Sequence, residues 1–223
     1  MARRRVVVTG LGIVSPVGNS IEEAWQNIVA GRSGIGPVTR FDVSSFPVRI
    51  AGEVRGFEIG QYLSPKEARR MDVFIHYGMA AGLQAIRDAG LDSHAFDPER
   101  VGVSIGSGIG GLPMIESTCD DFAAGGVRKV SPFFVPGSII NMISGNLSIL
   151  CGYKGPNISL VSACSTGTHS IGDAGRLIEY GDADVMIAGG AEGCVSRLGL
   201  GGFCAPRALS TRNEDPKAAS RPW

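Results

Sequence analysis

Short apolar runs of four or five residues alternate along this chain with longer segments whose apolar residues recur at helical spacing. That alternation is the pattern of strands feeding helices in an α/β fold. Segments 5–8, 101–105, 158–162 and 185–188 are the expected strands. Their near-continuous hydrophobicity asks for one mostly parallel sheet with helices on both faces. A weaker extended stretch, 48–54, lies in a Gly/Pro-rich region and predicts a peripheral hairpin.

Helix starts are legible. Ser20 with Glu23 three residues on forms a capping box ahead of Ala24, Trp25, Ile28 and Val29, and Gly31 supplies the stop. Ser64-Pro65-Lys66-Glu67 repeats the signal with proline at the first helical position. The spacing predicts one long helix from there to about Ala89, with Met71, Ile75, Met79, Leu83 and Ile86 in a stripe and the other side in solvent. Across 138–150 the apolar residues point in nearly all directions, so that helix is expected to be enclosed by protein. The uncharged stretch 130–153 is long enough to raise a membrane helix. Its Pro132, Pro136, Asn141, Asn146 and serines fit a buried helix better. With no internal repeat and no linker, residues 1–223 read as one domain.

Charge and composition narrow the classes. Lys+Arg 21 balance Asp+Glu 21, which excludes a protein that coats nucleic acid. A hydrophobic fraction of 43% provides for a core and excludes disorder. The 33 glycines follow no G-X-Y period, so they imply tight turns rather than collagen. Met1-Ala2-Arg3-Arg4-Arg5 imitates the start of a signal peptide, but Gly10, Gly12 and Pro16 break the apolar run at once. Cys119, Cys151, Cys164, Cys194 and Cys204 are irregularly spaced and indicate neither a disulfide framework nor a zinc site. No cofactor and no metal is expected, and the location expected is the cytoplasm, away from any membrane.

One segment joins a strand, a sharp turn and a helix around a thiol: Ile158-Ser159-Leu160-Val161-Ser162-Ala163-Cys164-Ser165-Thr166-Gly167-Thr168, then Ile171, Ala174, Leu177 and Ile178 at helical spacing. At a helix start the free N–H groups and the dipole favour an anion, which lowers a thiol pKa toward the thiolate range. Small Ala163, Ser165 and Gly167 leave room for a substrate. Cys164 is therefore either a nucleophile or, as free cysteines often are, a small buried apolar residue. Acid/base partners are scarce, because His76, His94 and His169 are the only histidines. His169 lies five residues on, about 140° around a helix from Cys164, and is not expected to be its base.

Two further features need weighing. Segment 106–111, Gly-Ser-Gly-Ile-Gly-Gly, contains G-x-G-x-x-G, yet Pro113 follows and Asp120 and Asp121 fall within an expected helix. A dinucleotide site would need an acidic residue at the end of a second strand. The turn is read instead as close backbone packing beside a pocket, with Ile109 as an apolar plug. Lys66, Arg69 and Arg70 share a helix face in its first two turns, where cations oppose the dipole. An acidic partner explains that placement, and so does a solvated face; Arg128, Lys129 and Arg207 extend the same two readings.

At Val161-Ser162-Ala163-Cys164-Ser165-Thr166-Gly167 the chain resembles the nucleophile segment of the β-ketoacyl-acyl-carrier-protein synthases, condensing enzymes of fatty-acid synthesis. Val6-Val7-Val8-Thr9-Gly10-Leu11-Gly12, segment 106–111, Ser131-Pro132-Phe133-Phe134-Val135-Pro136, Gly189-Gly190-Ala191-Glu192 and Ala208-Leu209-Ser210-Thr211-Arg212 resemble the same family. The Ile109 turn and the Phe133-Phe134 pair look most like its long-chain elongating branch. The resemblance implies a thiolase-like layered α/β fold and a decarboxylative Claisen condensation through an acyl thioester on Cys164. It implies that the Cys164 N–H serves an oxyanion hole. It also implies that Ile109, Ala163, Gly199 and Phe203 line the acyl pocket, and that Phe134 is offered across a homodimer interface. Lys66, Arg69, Arg70, Arg128, Lys129 and Arg207 match the basic surface that meets an acidic acyl carrier protein.

Members of that family are longer and built as two similar halves, so the resemblance covers an N-terminal half. Their two histidines, lysine and second oxyanion donor belong to the other half. The 223-residue chain alone is expected to be alkylated at Cys164 but not to condense. Cys194 and Cys204 stand where small, alanine-like residues are expected. A non-catalytic binding or assembly subunit completed by a second chain is the alternative class, and a cysteine hydrolase a third.

Overall fold

A computed structural model describes residues 4–92 and 96–222, leaving His94 outside the described residues. Among the described residues five strands run in chain order: β1 Gly36–Pro37, β2 Ile50–Ala51, β3 Val101–Gly106, β4 Asn157–Ile158 and β5 Val185–Gly190. The helices are α1 Ile21–Val29, α2 Pro65–Ala68, α3 Val73–Asp88, α4 Leu112–Gly125, α5 Phe134–Ser138, α6 Met142–Cys151, α7 Thr166–Tyr180 and α8 Arg197–Cys204. They fall into two compact units: Met1–Gly12 with Ile59–Gly193, and Ile13–Glu58 with Cys194–Trp223.

The first unit is built on a parallel sheet of order β4-β3-β5. β3 is buried from end to end and pairs with β5 over its whole length, from Val101↔Val185 to Gly106↔Gly190. Side chains alternate across a strand. Val101, Val103 and Ile105 therefore share a core with Ile75 and Met79 of α3 and Ile143 and Leu147 of α6. On the opposite face Gly106 meets Thr166 of α7. Helices thus cover both faces of this sheet, as its apolar strands require. Glycine brings α3 and α6 together, since a Cβ on Gly78 would come 2.6 Å from Ile143 Cγ2.

Four expectations are corrected in the first unit. Segment 5–8 is not a strand. A strand needs a neighbour, and Val7 and Val8 are exposed, with only a cavity of about 220 Å³ shared with the Val185 to Ala188 stretch of β5. The long helix from Ser64 breaks after Ala68, because Asp72 starts a new one. Its Oδ1 accepts the Phe74 N–H, its Oδ2 accepts the Met114 N–H at 2.7 Å, and its own N–H donates to the Gly137 carbonyl. Burial pushes the Asp72 carboxyl up, against the pull of the Met114 and Phe74 amides. The α3 helix is also more enclosed than a single stripe predicts, with Phe74, Tyr77 and Ala80 buried beside Ile75 and Met79.

The third correction concerns 138–150, which divides between α5 and α6. Only one face of α6 is covered, by burial of Ile143, Ser144 and Leu147, while Ile149 remains 79% exposed. The expected strand 158–162 shrinks to Asn157–Ile158. No helix among the described residues is long and apolar enough to cross a membrane.

In the second unit Ser20 caps α1 by accepting the Glu23 N–H, and Glu23 reaches back to the Asn19 N–H. The stretch 48–54 forms no hairpin within itself: only Ile50–Ala51 is a strand, and it pairs antiparallel with Gly36–Pro37, which the sequence reading left out. Val38, Val48, Ile50, Leu200 and Ala219 form the core of this unit. Glu53 is buried there and accepts from the Thr39 N–H, the Thr39 hydroxyl and the Arg40 N–H. Desolvation pushes its carboxyl up, but those donors outweigh it and hold the net value below the usual range. A depressed carboxyl contributes stability above its unfolded pKa, and loses it as pH falls through the lower folded value. Denaturant titrations below pH 5 are therefore expected to show stability falling with acid, and Glu53→Gln to flatten that slope while lowering stability at pH 7 by about 1–3 kcal/mol. An unchanged slope in Glu53→Gln would assign the acid sensitivity elsewhere.

Candidate active site

Cys164 is exposed in a single 3-10 turn, Ala163–Ser165, which delivers the chain directly into α7. The turn is strained. Ala163 has φ 53, a left-handed conformation that costs a residue with a Cβ roughly 1–2 kcal/mol. Surrounding hydrogen bonds hold it there. Buried Thr166 accepts the Ser162 N–H at 2.9 Å and donates its hydroxyl to the Ala163 carbonyl at 2.8 Å. The Ser165 N–H donates to the Ser162 carbonyl. The Cys164 N–H has no acceptor among the described residues, so it is free to serve a developing oxyanion.

Glycines let the turn come this close to the sheet. A Cβ on Gly106, the last residue of β3, would stand 2.1 Å from the Leu160 carbonyl oxygen and 2.6 Å from Thr166 Cγ2. At the end of β5, a Cβ on Gly190 would stand 2.9 Å from the Gly167 Cα. The start of α7 is thereby seated against the carboxyl ends of both strands, where open α/β sheets bind ligands. Of the other cysteines, Cys119 is exposed on α4, away from any helix start, and burial pushes the Cys151 thiol up.

His169, not expected to be the base for Cys164, has its Nδ1 2.6 Å from the Ser162 hydroxyl. This bond braces the residue that begins the turn and does not reach Cys164. His76 is structural, with Nε2 2.8 Å from the Ala68 carbonyl oxygen.

The turn 106–111 leaves β3 beside Ala163 and carries exposed Ile109. Its Gly108 and Ile109 N–H groups both donate to Glu192 Oε2, at 3.0 and 2.9 Å, and the Ser107 hydroxyl donates to Oε1. The donors a nucleotide phosphate would need are thus taken by a carboxylate of the chain itself. Glu192 was visible in the sequence only as the end of Gly189-Gly190-Ala191-Glu192; an acid two residues past a strand was the signal available.

Ile109, Ala163, Phe134 and Cys164 belong to the first unit, and Gly199 and Phe203 to the second. Gly199 and Phe203 line a cavity of about 520 Å³ walled by Ile35, Val48, Leu200 and Cys194. A Cβ on Gly199 would stand 1.9 Å from the Cys194 carbonyl oxygen, so the position has to be glycine. Phe134 is half-buried at the start of α5.

The cationic group is placed differently from the expectation. Arg69 is the C-cap of the single-turn α2, where the dipole favours a cation, while Lys66 stands second in that turn, close to its N-terminus. The electrostatic oddity is thereby removed for Arg69 and remains for Lys66. Arg70 is half-buried with its guanidinium 4.1 Å from the Phe133 ring centroid. Arg69, Arg128, Lys129 and Arg207 are exposed and have no ion-pair partner among the described residues. Arg207 holds a left-handed φ of 57.

The model of the beta-ketoacyl synthase N-terminal domain matches residues 3–223. The chain belongs to the beta-ketoacyl synthase family. It is 56% identical over 223 residues to 3-oxoacyl-[acyl-carrier-protein] synthase 2 of Vibrio cholerae, and 47% to the protein of that name from Synechocystis. In both comparisons it covers 100% of its own length and 54% of the relative's, so it spans about half of these proteins. A solved beta-ketoacyl synthase from Burkholderia phymatum matches 100% of the chain and 54% of its own at TM-score 0.87 and 29% identity. A type II polyketide ketosynthase solved with its acyl carrier protein matches 91% of the chain and 55% of its own at TM-score 0.75 and 27% identity. The thiolase-like layered fold implied by the nucleophile segment is the fold of these neighbours.

Proposed function

We propose that this chain is the nucleophile-bearing half of a condensing enzyme that extends an acyl chain by two carbons. The observation that carries the reading is the strained turn that presents an exposed thiol beside its own free N–H at the start of α7. In the first stage the Cys164 sulfur attacks the carbonyl of an acyl thioester on acyl carrier protein; a new C–S bond forms and the carrier thiol leaves. In the second, malonyl carrier protein loses carbon dioxide, and its carbanion attacks the acyl-Cys164 carbonyl. A C–C bond forms, the bond to sulfur breaks, and the 3-ketoacyl group stays on the carrier. Within the first unit the acyl chain is assigned to Ile109 and Ala163, where the 106–111 turn abuts the Ala163 carbonyl; within the second, Gly199 and Phe203 line an apolar cavity of their own. Phe134 belongs to the face offered to a second copy in a homodimer.

The remaining acid/base groups are assigned to the half of the relatives that this chain does not span. The test joins this sequence to the C-terminal half of the Vibrio cholerae relative. That chimaera is expected to form 3-ketoacyl product from acyl and malonyl carrier proteins, and the 223-residue chain alone to form none. Product from the chain alone, or a folded chimaera without product, overturns the proposal. The latter result would favour a non-catalytic assembly subunit.

Carrier docking is assigned by family resemblance to exposed Lys66, Arg69, Arg128, Lys129 and Arg207 and to half-buried Arg70. Charge reversal at Lys66, Arg69 and Arg128 together is expected to weaken carrier binding to the chimaera by about tenfold at low salt and to reduce its salt dependence. Unchanged affinity at low salt would remove them from the docking surface.

A further inference from the structure

The turn that carries Ile109 is held in place by a side chain to which the condensation chemistry gives no part. Glu192 follows β5 by two residues, and the β3–β5 ladder continues to it through the Ala191 N–H, which donates to the Gly106 carbonyl at 3.0 Å. Its carboxylate then takes two successive amides, Gly108 and Ile109, on one oxygen and the Ser107 hydroxyl on the other. The Ser107 oxygen in turn accepts at 3.1 Å the N–H of Gly110, whose own φ of 80 suits glycine. Bonds to a charged acceptor are about twice as strong as neutral ones, so this set fixes the turn more firmly than its own backbone could. On its far side the turn abuts the nucleophile segment, since a Cβ on Gly108 would lie 3.1 Å from the Ala163 carbonyl oxygen.

We infer that Glu192 is a positioning residue that sets how long an acyl chain can reach Cys164, by fixing the turn that carries Ile109. The inference rests on the reading of Cys164 as nucleophile and Ile109 as an apolar plug. It gives the carboxylate no contact with substrate. Cut loose, the turn lets Ile109 move aside, and a long apolar chain gains access while a small reagent is unaffected.

The test labels Cys164 in the 223-residue chain with iodoacetamide and with its N-dodecyl derivative, and compares the two rates by intact mass and peptide mapping. Ile109→Ala is expected to raise the ratio of long-chain to short-chain labelling by about fivefold or more. Glu192→Ala and Glu192→Asp, the latter too short to span the turn, are expected to raise it in the same direction. Glu192→Gln keeps one oxygen for the two amides and is expected to restore a ratio near wild type. A merely structural role would change both rates together and leave the ratio alone, which overturns the inference even if Glu192→Ala fails to fold and only Glu192→Asp is measured. A raised ratio in Ile109→Ala with none in either Glu192 variant also overturns it. No change in Ile109→Ala, with Cys164 still selectively labelled, overturns instead the reading of Ile109 as a plug.

Discussion

Replacing Cys164 by alanine is expected to abolish acyl transfer in the chimaera, with a loss on the order of 10³-fold or more, because no other group can carry the thioester. In the 223-residue chain the same change removes the fast phase of iodoacetamide labelling and leaves only the slow background of exposed Cys119. Stability should move by no more than about 0.5 kcal/mol, since an exposed side chain leaves no cavity behind. Cys164→Ser separates nucleophilicity from shape: it keeps a hydroxyl of similar size in the turn and is expected to be nearly as inactive. Acyl transfer surviving in Cys164→Ala, with the acyl group mapped to another cysteine, would move the nucleophile elsewhere.

Gly106→Ala is expected to be the most damaging single methyl in the site. The added Cβ meets the Leu160 backbone at 2.1 Å and Thr166 Cγ2 at 2.6 Å, and the first of these is not the movable tip of a side chain. Overpacking of this kind costs about 1–3 kcal/mol or more. The strain also falls on Thr166, whose hydroxyl holds Ala163 in its left-handed conformation. Chemical denaturation should therefore show a lowered midpoint, and labelling of Cys164 should slow even under conditions where the variant remains folded. Gly145→Ala is the control, because its Cβ would touch only the flexible Met142 tip at 3.6 Å in α6, far from crowding. Equal effects from the two substitutions would deny Gly106 its place under the nucleophile turn.

The elements that read most clearly in the sequence are those whose signals are local. Ser20 caps α1 and Gly31 ends it at φ 65, as their residue types demand. The central strand at 101–105 needed only its apolar run. The errors share one cause, which is that a pattern does not name its neighbour. Val6, Val7 and Val8 have every property of a strand except a partner to pair with. The break between α2 and α3 depends on Asp72 finding the Met114 amide forty-two residues away, and nothing near Asp72 in sequence announces it. The same break changes the setting of Arg69, which becomes a C-cap at the favourable terminus once the helix ends at Ala68. The turn at Cys164 was legible because small residues and a helix start are contiguous around it. Thr166 and Glu192, which hold the two turns, were not, since a threonine in a helix and an acid after a strand have many ordinary uses.

The six-residue register between β3 and β5 reaches beyond the sheet. Side chains change face at each step along a strand, so a slip of one residue between these two strands would reverse everything that follows β5. Glu192 would then project away from the turn at 106–111, and Gly190 would no longer oppose Gly167. Correct pairing is thus checked where the thiol is presented. A chain that has folded with its strands out of step cannot assemble the turn beside Cys164, and the ratio of long-chain to short-chain labelling at that cysteine becomes an assay for the register of the β3–β5 pair.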